Sequence, residues 1–262
     1  MQELIKIMTY NVRIAVDSDP FRWQERREAI LKVIERYAPD IISMQEARDH
    51  MYEFFINELK EYDTYGVNSM PGTLEGQSNP IFIRKDKFQF LDRNSFMLSE
   101  TPHISASKSW DTACERICSY AQLAKNGRDE PFIRVYSTHL DHVSQWARQE
   151  GLRLIMKTVK EENKCIDLPF IVLGDFNDTF DSPIHDEMKD AVSCYTVIKE
   201  DKDNLLTFHG YSDRTEGEPI DYIYAGNNAE FTDCIIIRDK INEVMPSDHH
   251  PVMATLKVNI ID

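Results

Sequence analysis

The sequence of 262 residues predicts a mixed α/β fold, in which mixed β-sheets are covered by helices within one domain over residues 1–262. Strands joined by helices alternate with strands joined by hairpins, and this mixture disfavours a regular βαβ winding. No internal repeat, low-complexity tract or change of composition marks a domain boundary. A hydrophobic fraction of 42%, with 10% aromatic residues, is typical of a globular chain of this length.

Apolar patterning in the first third of the chain predicts two helices among short strands. The helix at 21–37 has Trp23, Ile30 and Val33 on one face, and a second helix follows at 51–59. The predicted strands lie at residues 4–12, 40–47, 62–67, 81–84 and 88–91. A short "KDK" turn joins the last two of them.

The remainder of the chain contains a hairpin, the longest helix and further strands. Residues 119–124 pair with 132–139 across the turn "KNGRDE", and the helix at 143–162 has Leu152, Ile155 and Val159 along one face. A short helix is predicted at 182–189. The other predicted strands lie at 170–173, 220–224, 234–237 and 252–256.

Charge and cysteine usage narrow the function classes. The net charge of −15 should repel phosphate backbones, so stable binding to duplex DNA is not expected. Five scattered cysteines indicate free thiols and a reducing compartment. Without a signal peptide before the first strand or an apolar run of membrane-spanning length, we expect a cytoplasmic protein with no membrane insertion.

Polar side chains gather where the predicted strands end or begin. Taken singly, each such residue is explained by a structural turn, an ion pair or a surface hydrogen bond. Six stretches of this kind occur in one chain, however, and a rim rich in carboxylates and histidines suits divalent-metal chemistry. The stretches are "TYN", "QEA", "THLDH", "GDFND", "IDYIY" and "SDHH".

These stretches, in this order, resemble the endonuclease/exonuclease/phosphatase superfamily of deoxyribonuclease-like metal-dependent hydrolases. The resemblance implies a four-layer α/β/β/α sandwich of two mixed sheets. It is closer to a bacterial branch, mostly of unassigned substrate, that also has "NPIFIRKDKF", "LSETP", a Trp-Asp pair before an Arg, and "THLDH" followed by "AR". Two positions depart from that branch: Gly76-Gln77 replaces a Gly-Glu pair, and Phe96-Met97 stands where a Trp is common.

The resemblance implies a bound Mg²⁺ or Mn²⁺ ion. Glu46 is its expected anchor, because a single carboxylate with waters and substrate oxygens satisfies Mg²⁺. Asn11 and Asp248 are the expected supporting ligands, either directly or through water.

The resemblance also implies the catalytic residues. Asp175 would orient or deprotonate the attacking water, and Asn177 would donate hydrogen bonds to the phosphoryl oxygens. Asp221 would hold His249 in its working tautomer for contact with the phosphate or the water. His139 would lie across the scissile phosphate, whereas the neighbouring His250 is expected to be structural.

A further set of residues belongs to the branch-specific stretches and could contact the substrate. Arg116 could clamp a phosphate. The alternative is that Arg116 pairs with an acid and that Trp110 only packs. The set consists of Asn79, Trp110, Arg116, Asp141 and His142.

The leading functional hypothesis is a divalent-metal-dependent phosphoesterase acting on a small or lipid-derived phosphodiester or phosphomonoester. One alternative is a nuclease acting on short or single-stranded nucleic acid. Another is a catalytically inactive binding module on the same fold, and the intact set of catalytic residues argues against it. The sequence indicates neither the substrate nor the oligomeric state.

Overall fold

The computed structural model of the chain describes residues 2–199 and 204–259. Its helices are α1 (Trp23–Tyr37), α2 (Asp49–Glu58) and α3 (Gln145–Cys165), with short 3₁₀-helices at Pro183–Met188 and Cys194–Val197. Its strands are β1 (Gln2–Asn11), β2 (Ile41–Gln45), β3 (Tyr62–Tyr65), β4 (Ile81–Arg84), β5 (Phe88–Met97), β6 (Ile117–Lys125), β7 (Pro131–His139), β8 (Phe170–Asp175), β9 (Val192–Ser193), β10 (Asp221–Gly226), β11 (Ala229–Ile236) and β12 (Val252–Asn259).

The strands form two mixed sheets of six strands each. The first sheet has the order β11-β12-β1-β2-β4-β3, and the second has the order β5-β6-β7-β8-β10-β9. In each sheet one neighbouring pair is parallel, β1 with β2 and β7 with β8. Helix α1 connects the first pair and α3 the second, as a parallel pair requires.

Side-chain alternation along the strands builds the layers. On β1, Ile5 and Ile7 point into the core between the two sheets. Met8 and Tyr10, on the other face, pack in a second core against α1 and α2. Helix α3 covers the outer face of the second sheet through residues that include Ile155. The period of two along each strand thus produces the four-layer α/β/β/α sandwich, and the predicted fold class is confirmed.

The two parallel pairs bring chemically important residues to one rim. Asn11 is in register with Gln45 at the ends of β1 and β2. His139 is in register with Asp175 at the ends of β7 and β8. Antiparallel β10 begins with Asp221 directly beside Asp175. Because parallel strands end at the same edge of a sheet, these polar residues of both sheets meet there.

Some predicted elements differ in extent or in pairing. The "KDK" turn carries the chain from β4 in the first sheet to β5 in the second, so it closes no hairpin. Strand β5 extends to Met97, beyond the prediction, because it is an edge strand whose polar residues can remain exposed. The predicted helix at 182–189 is the 3₁₀-helix Pro183–Met188. In the described residues, no helix is long and apolar enough to cross a lipid bilayer.

Candidate active site

A cavity of about 390 Å³ opens at this rim, between the ends of the two sheets. Most of the site residues predicted from the sequence lie in its wall. These are Glu46, Arg116, His139, His142, Asp175, Asn177, Asp248 and His249.

Two of these residues have left-handed backbone conformations. Glu46 has a φ of 63° and Asn177 a φ of 52°, and each follows the end of a strand. A non-glycine residue in this region of φ is strained. Asn177 tolerates it better because its polar side chain is short, whereas the longer Glu46 is strained more. The turn ends β2 and places the Glu46 carboxylate at the cavity. Strain of this kind is often found at functional sites.

Gly174 allows β8 to approach β7 closely enough for Asp175 to lie beside His139. Its φ of 149° suits glycine, and a Cβ atom there would lie 1.8 Å from the carbonyl oxygen of Thr138. Any side chain would push the two parallel strands apart at the rim.

Asn11 links the two sheets through its side-chain amide. Its Nδ2 group donates to Glu46 Oε1 at 3.2 Å and to Asp175 Oδ2 at 2.9 Å. Its Oδ1 atom accepts the backbone N–H of Arg13 at 3.0 Å. The amide therefore presents its donor group to the carboxylates, and the oxygen expected to support a metal ion is turned toward the backbone.

Glu46 and Asp248 form the acidic side of the cavity. Glu46 Oε2 accepts the backbone N–H of Ile14 at 2.8 Å, which fixes the carboxylate. Burial raises the pKa of Asp248, and the like charge of Glu46 raises it further. Two carboxylates that repel each other in a half-closed cavity are a donor set that a hard divalent cation such as Mg²⁺ or Mn²⁺ stabilises. The residues present therefore fit the expected metal.

His249 and Asp221 form a buried pair, with 2.9 Å between Nδ1 of the imidazole and Oδ2 of the carboxylate. Burial alone would lower the pKa of His249, but the carboxylates of Asp221 and Asp175 raise it to about 10. The Nε2 atom on the other side of the ring lies 3.7 Å from Asp175 Oδ2. The imidazole is thus held protonated, with one N–H on Asp221 and the other toward the cavity.

His139 has the opposite electrostatic character. Burial lowers its pKa well below the usual value, and the cationic Arg116 lowers it further. Its Nε2 atom accepts from Asn177 Nδ2 at 2.9 Å and lies 3.4 Å from Asp175 Oδ2. Burial, with Asp221 nearby, raises the pKa of Asp175 to about 7. Two histidines with opposed charge states beside a carboxylate that titrates near neutrality are an arrangement suited to acid–base chemistry.

Arg116 and His142 are the only members of the predicted substrate-binding set that line the cavity in the described chain. Arg116 Nη2 contacts His142 Nδ1 at 3.1 Å. Its Nε atom lies 3.8 Å from Asp141 Oδ2 and has no hydrogen-bond partner. A guanidinium whose side chain is only 8% exposed, with an unused N–H group, is suited to an anionic ligand.

The other three members of that set lie outside the cavity wall. Asn79 donates to the carbonyl of Ile117 at 2.7 Å and ties β4 to β6. The carbonyl of Trp110 accepts from Ser144 Oγ at 2.7 Å. Asp141 accepts the backbone N–H of Ser144 at 2.7 Å as α3 begins, together with donors from the loop at 112–113. Their hydrogen bonds hold the loops around the site.

Several residues in the cavity wall were not singled out as site residues from the sequence. Arg13 follows the "TYN" motif by two positions, and Gln77 is one of the two departures from the bacterial branch, so both had a sequence signal. Phe208 had none: its ring packs 4.9 Å from that of His249, a contact between distant parts of the chain. The remaining wall residues are Ile14, Cys114 and Ile220.

Known proteins resemble this chain in sequence and in fold. The model of the Endonuclease/Exonuclease/phosphatase family matches residues 8–249. The chain is similar to a solved endonuclease/exonuclease/phosphatase family protein of Bacteroides thetaiotaomicron, with 26% identity, a TM-score of 0.89, and coverage of 99% of this chain and 100% of that one. It is also similar to the mannosyl-6-phosphatase of the same organism, with 28% identity, a TM-score of 0.88, and coverage of 96% and 99%.

Among curated proteins, the chain is similar to nocturnin of Xenopus laevis, with 24% identity over 230 residues. That match covers 80% of this chain but only 56% of the length of nocturnin.

Proposed function

Because the chain belongs to the endonuclease/exonuclease/phosphatase family, we propose that it is a divalent-metal-dependent phosphoesterase that hydrolyses a small phosphate ester by in-line attack of water. The observation that carries the proposal is the convergence, on one cavity, of the Glu46 and Asp248 carboxylates with the Asp221–His249 pair. Phosphate ester hydrolysis needs both a cation site for the phosphoryl oxygens and positioned proton-transfer groups.

Glu46 and Asp248 would hold Mg²⁺ or Mn²⁺ through carboxylate oxygens. Such an ion neutralises charge on the phosphoryl oxygens during attack. Asn11 contributes by fixing Glu46 and Asp175 through its amide hydrogens, which holds the two carboxylates at a constant separation.

Asp175 would accept the proton of the attacking water, since its pKa of about 7 matches the working pH of a general base. The protonated His249 would donate from Nε2 to a phosphoryl oxygen, while Asp221 keeps its other nitrogen occupied. Asn177 and the neutral His139, hydrogen-bonded to each other, would complete the contacts around the phosphoryl group.

The substrate we propose is small. A cavity of about 390 Å³ lies within the usual size range for small-molecule sites. The net charge of −15 disfavours a polyanionic duplex. The similar mannosyl-6-phosphatase supports a phosphorylated small molecule, and a lipid-derived ester remains in the proposed class. A cytoplasmic location stays a prediction.

A panel of phosphoesters, assayed with Mg²⁺ and with Mn²⁺, tests the proposal. The panel contains nucleotides, sugar phosphates, inositol phosphates, sphingomyelin and short oligonucleotides. We expect metal-dependent hydrolysis of a small ester that Glu46→Gln and Asp175→Asn abolish. The matched control is Glu230→Gln, which removes a surface carboxylate paired with Lys257.

Other results would contradict the proposal. No hydrolysis of any ester with either metal would favour a binding module. Preferential cleavage of short single strands would favour the nuclease alternative. Nanomolar, salt-sensitive affinity for duplex DNA at physiological ionic strength would overturn the preference for a small substrate.

A further inference from the structure

Arg13 occupies a strained position beside the acidic side of the cavity. It lies two residues beyond the end of β1 and has a φ of 54°, in the left-handed region that non-glycine residues seldom adopt. Its backbone N–H donates to Asn11 Oδ1 at 3.0 Å, so the residue is tied directly to the candidate active site. A strained conformation persists only where its surroundings enforce it.

A second arginine, Arg26 on α1, enforces this conformation. Its side chain is fully buried and donates to main-chain carbonyls, including those of Arg13 and Ile14 at 3.0 Å each. Its other bonds reach the carbonyls of Phe21, Val12 and Pro246. All five N–H groups of this guanidinium are thereby used, four of them on the loop at 12–21 that carries Arg13 and one on Pro246.

The guanidinium of Arg13 is itself held in a fixed orientation. Asp19 accepts from it twice, at 3.0 Å from Nε to Oδ2 and at 3.2 Å from Nη2 to Oδ1. Asp248 Oδ2 lies 3.5 Å from Nε. The side chain is 29% exposed and lines the cavity, and within residues 2–199 and 204–259 its Nη1 group has no hydrogen-bond partner. The fork bound to Asp19 thus leaves the Nη1 edge available to a ligand.

The unused donors in the cavity wall indicate what that ligand would carry. Arg13 and Arg116 both line the cavity, and among the described residues each has an N–H group without a hydrogen-bond partner, Nη1 of Arg13 and Nε of Arg116. These two guanidinium groups and a divalent cation on the carboxylates would offer one partner to each oxygen of a phosphate group that has three terminal oxygens. A phosphomonoester carries about −1.5 to −2 charges near neutral pH, whereas a phosphodiester carries a single one.

We propose that Arg13 is a specificity-determining residue, which donates from Nη1 to a terminal oxygen of the substrate phosphate and selects phosphomonoesters over phosphodiesters. This inference rests on the proposed phosphoesterase function. A diester has an ester group where a monoester has a third charged oxygen, so the Arg13 contact favours the monoester. Arg116 supplies the second guanidinium of the same cavity.

Kinetics with two simple probes test the selectivity. The ratio of kcat/KM for p-nitrophenyl phosphate to that for bis(p-nitrophenyl) phosphate is measured in the wild type, Arg13→Met and Arg13→Lys. Loss of a charge-assisted hydrogen bond is expected to lower kcat/KM for the monoester by about tenfold to a hundredfold in Arg13→Met. The diester value should fall by less than about threefold on the same reasoning. Arg13→Lys keeps the positive charge but cannot form the paired hydrogen bonds of a guanidinium. Its kcat/KM ratio should therefore lie between those of the wild type and Arg13→Met.

The matched control is Arg36→Met, which removes an arginine that pairs with Asp239 on the surface, away from the cavity. Its ratio should equal that of the wild type. Asp19→Asn provides a second test that leaves Arg13 in place. Weakening the two hydrogen bonds between Arg13 and residue 19 should lower the monoester-to-diester ratio, as Arg13→Met does. Asp19→Asn therefore keeps the inference testable should Arg13→Met fail to fold.

Calorimetry separates a substrate contact from a purely structural role. Inorganic phosphate, titrated into the metal-loaded protein, should bind more weakly to Arg13→Met than to the wild type. The metal alone should bind that variant equally well or more tightly, because a cation has been removed from beside Asp248. If Arg13 only positions Asp248, metal affinity should fall and both probes should lose activity equally.

The outcomes distinguish the two proposals. Equal losses on both probes, or an unchanged ratio in an active Arg13→Met variant, would overturn the inference and leave the phosphoesterase function standing. A wild-type protein that hydrolyses neither probe nor any ester of the wider panel would instead refute the function on which the inference rests.

Discussion

Replacing Asp221 by asparagine should lower turnover far more than it weakens metal binding. The substitution preserves the shape of the side chain and removes the charge that lies 2.9 Å from Nδ1 of His249. Both side chains are buried, so no solvent compensates for the lost carboxylate. The bound metal is expected at Glu46 and Asp248, and neither of these side chains is altered.

The magnitude follows from the electrostatics of the pair. The surrounding carboxylates raise the pKa of His249 from 6.5 to about 10, against the effect of burial. A change of that size corresponds to roughly 5 kcal/mol in favour of the protonated imidazole. Loss of the Asp221 carboxylate moves the pKa of His249 back toward its ordinary value, and at each pH the rate falls in proportion to the protonated fraction that is lost. An incorrect tautomer would increase the loss toward about 10⁴-fold, the value known for a comparable His–Asp pair.

The assay compares kcat and metal affinity in Asp221→Asn, His249→Ala and the double variant, with a working phosphoester. The double variant should be little worse than either single variant, because residues that act as a unit are non-additive. His250→Ala is the matched control and should retain most activity, since its ring packs 4.4 Å from that of His209, outside the cavity wall.

The pH profile gives an independent reading. Without the Asp221 carboxylate the pKa of His249 falls, so Asp221→Asn should lose activity as the pH rises through the lowered value. The wild type should not show that loss near neutrality. Losses at Asp221 and His249 that simply multiply, or a His250→Ala variant as inactive as His249→Ala, would refute the reasoning.

Three further predictions concern the metal, the strand packing and the stability. Glu46→Ala should abolish divalent-metal binding with the fold intact; calorimetry that shows an unchanged Mg²⁺ or Mn²⁺ affinity would exclude Glu46 as the anchor. Gly174→Ala should destabilise the protein by about 3 kcal/mol or more, because its Cβ would lie 1.8 Å from Thr138 O; a melting temperature within a few degrees of wild type would contradict this packing. Burial lowers the pKa of His250 to about 3 and of His209 to about 4. Both imidazoles stay neutral in the folded protein, whereas in the unfolded chain they take up protons below the ordinary histidine pKa of about 6.5. The contribution of these two histidines to the free energy of unfolding should therefore be complete above pH 6.5 and fall by about 1 kcal/mol per histidine by pH 5.5. Urea unfolding at pH 7 and 5.5 should show a smaller loss in His250→Gln, and an equal loss would refute the attribution.

Much of the architecture was predictable because secondary structure follows local periodicity. The helix at 21–37 was expected from its apolar face and occurs as α1, Trp23–Tyr37. The strand at 81–84 has the predicted bounds. By contrast, the "KDK" turn connects strands of two different sheets. Which sheet a strand joins depends on its pairing partners, and no local sequence pattern contains that information. The second half of β5 was not predicted, because the polar, exposed residues of this edge strand lack the apolar alternation that indicates a strand.

For the candidate site, the residue types at the strand ends predicted which side chains would gather. Asp221 and His249 were paired in advance through a family resemblance, and their atoms lie in hydrogen-bonding contact. The environment of each side chain was not predictable. Asp141 stands in the middle of "THLDH", yet its carboxylate accepts backbone N–H groups beside the cavity wall and does not line it.

Only the tertiary structure decided how the groups of the cavity face one another. The amide of Asn11 donates to Asp175, 164 residues away, and to Glu46, and these bonds determine which of its atoms faces the two carboxylates. Arg13 acquires its orientation from Asp19 and from the buried Arg26 on α1. Side-chain direction, burial and charge state depend on neighbours that are distant in the chain, whereas strand-end motifs and apolar periodicity are properties of the chain itself. The sequence therefore determined which chemical groups reach this rim, and the packing of two sheets determined which of them are donors, which are charged and which face the cavity.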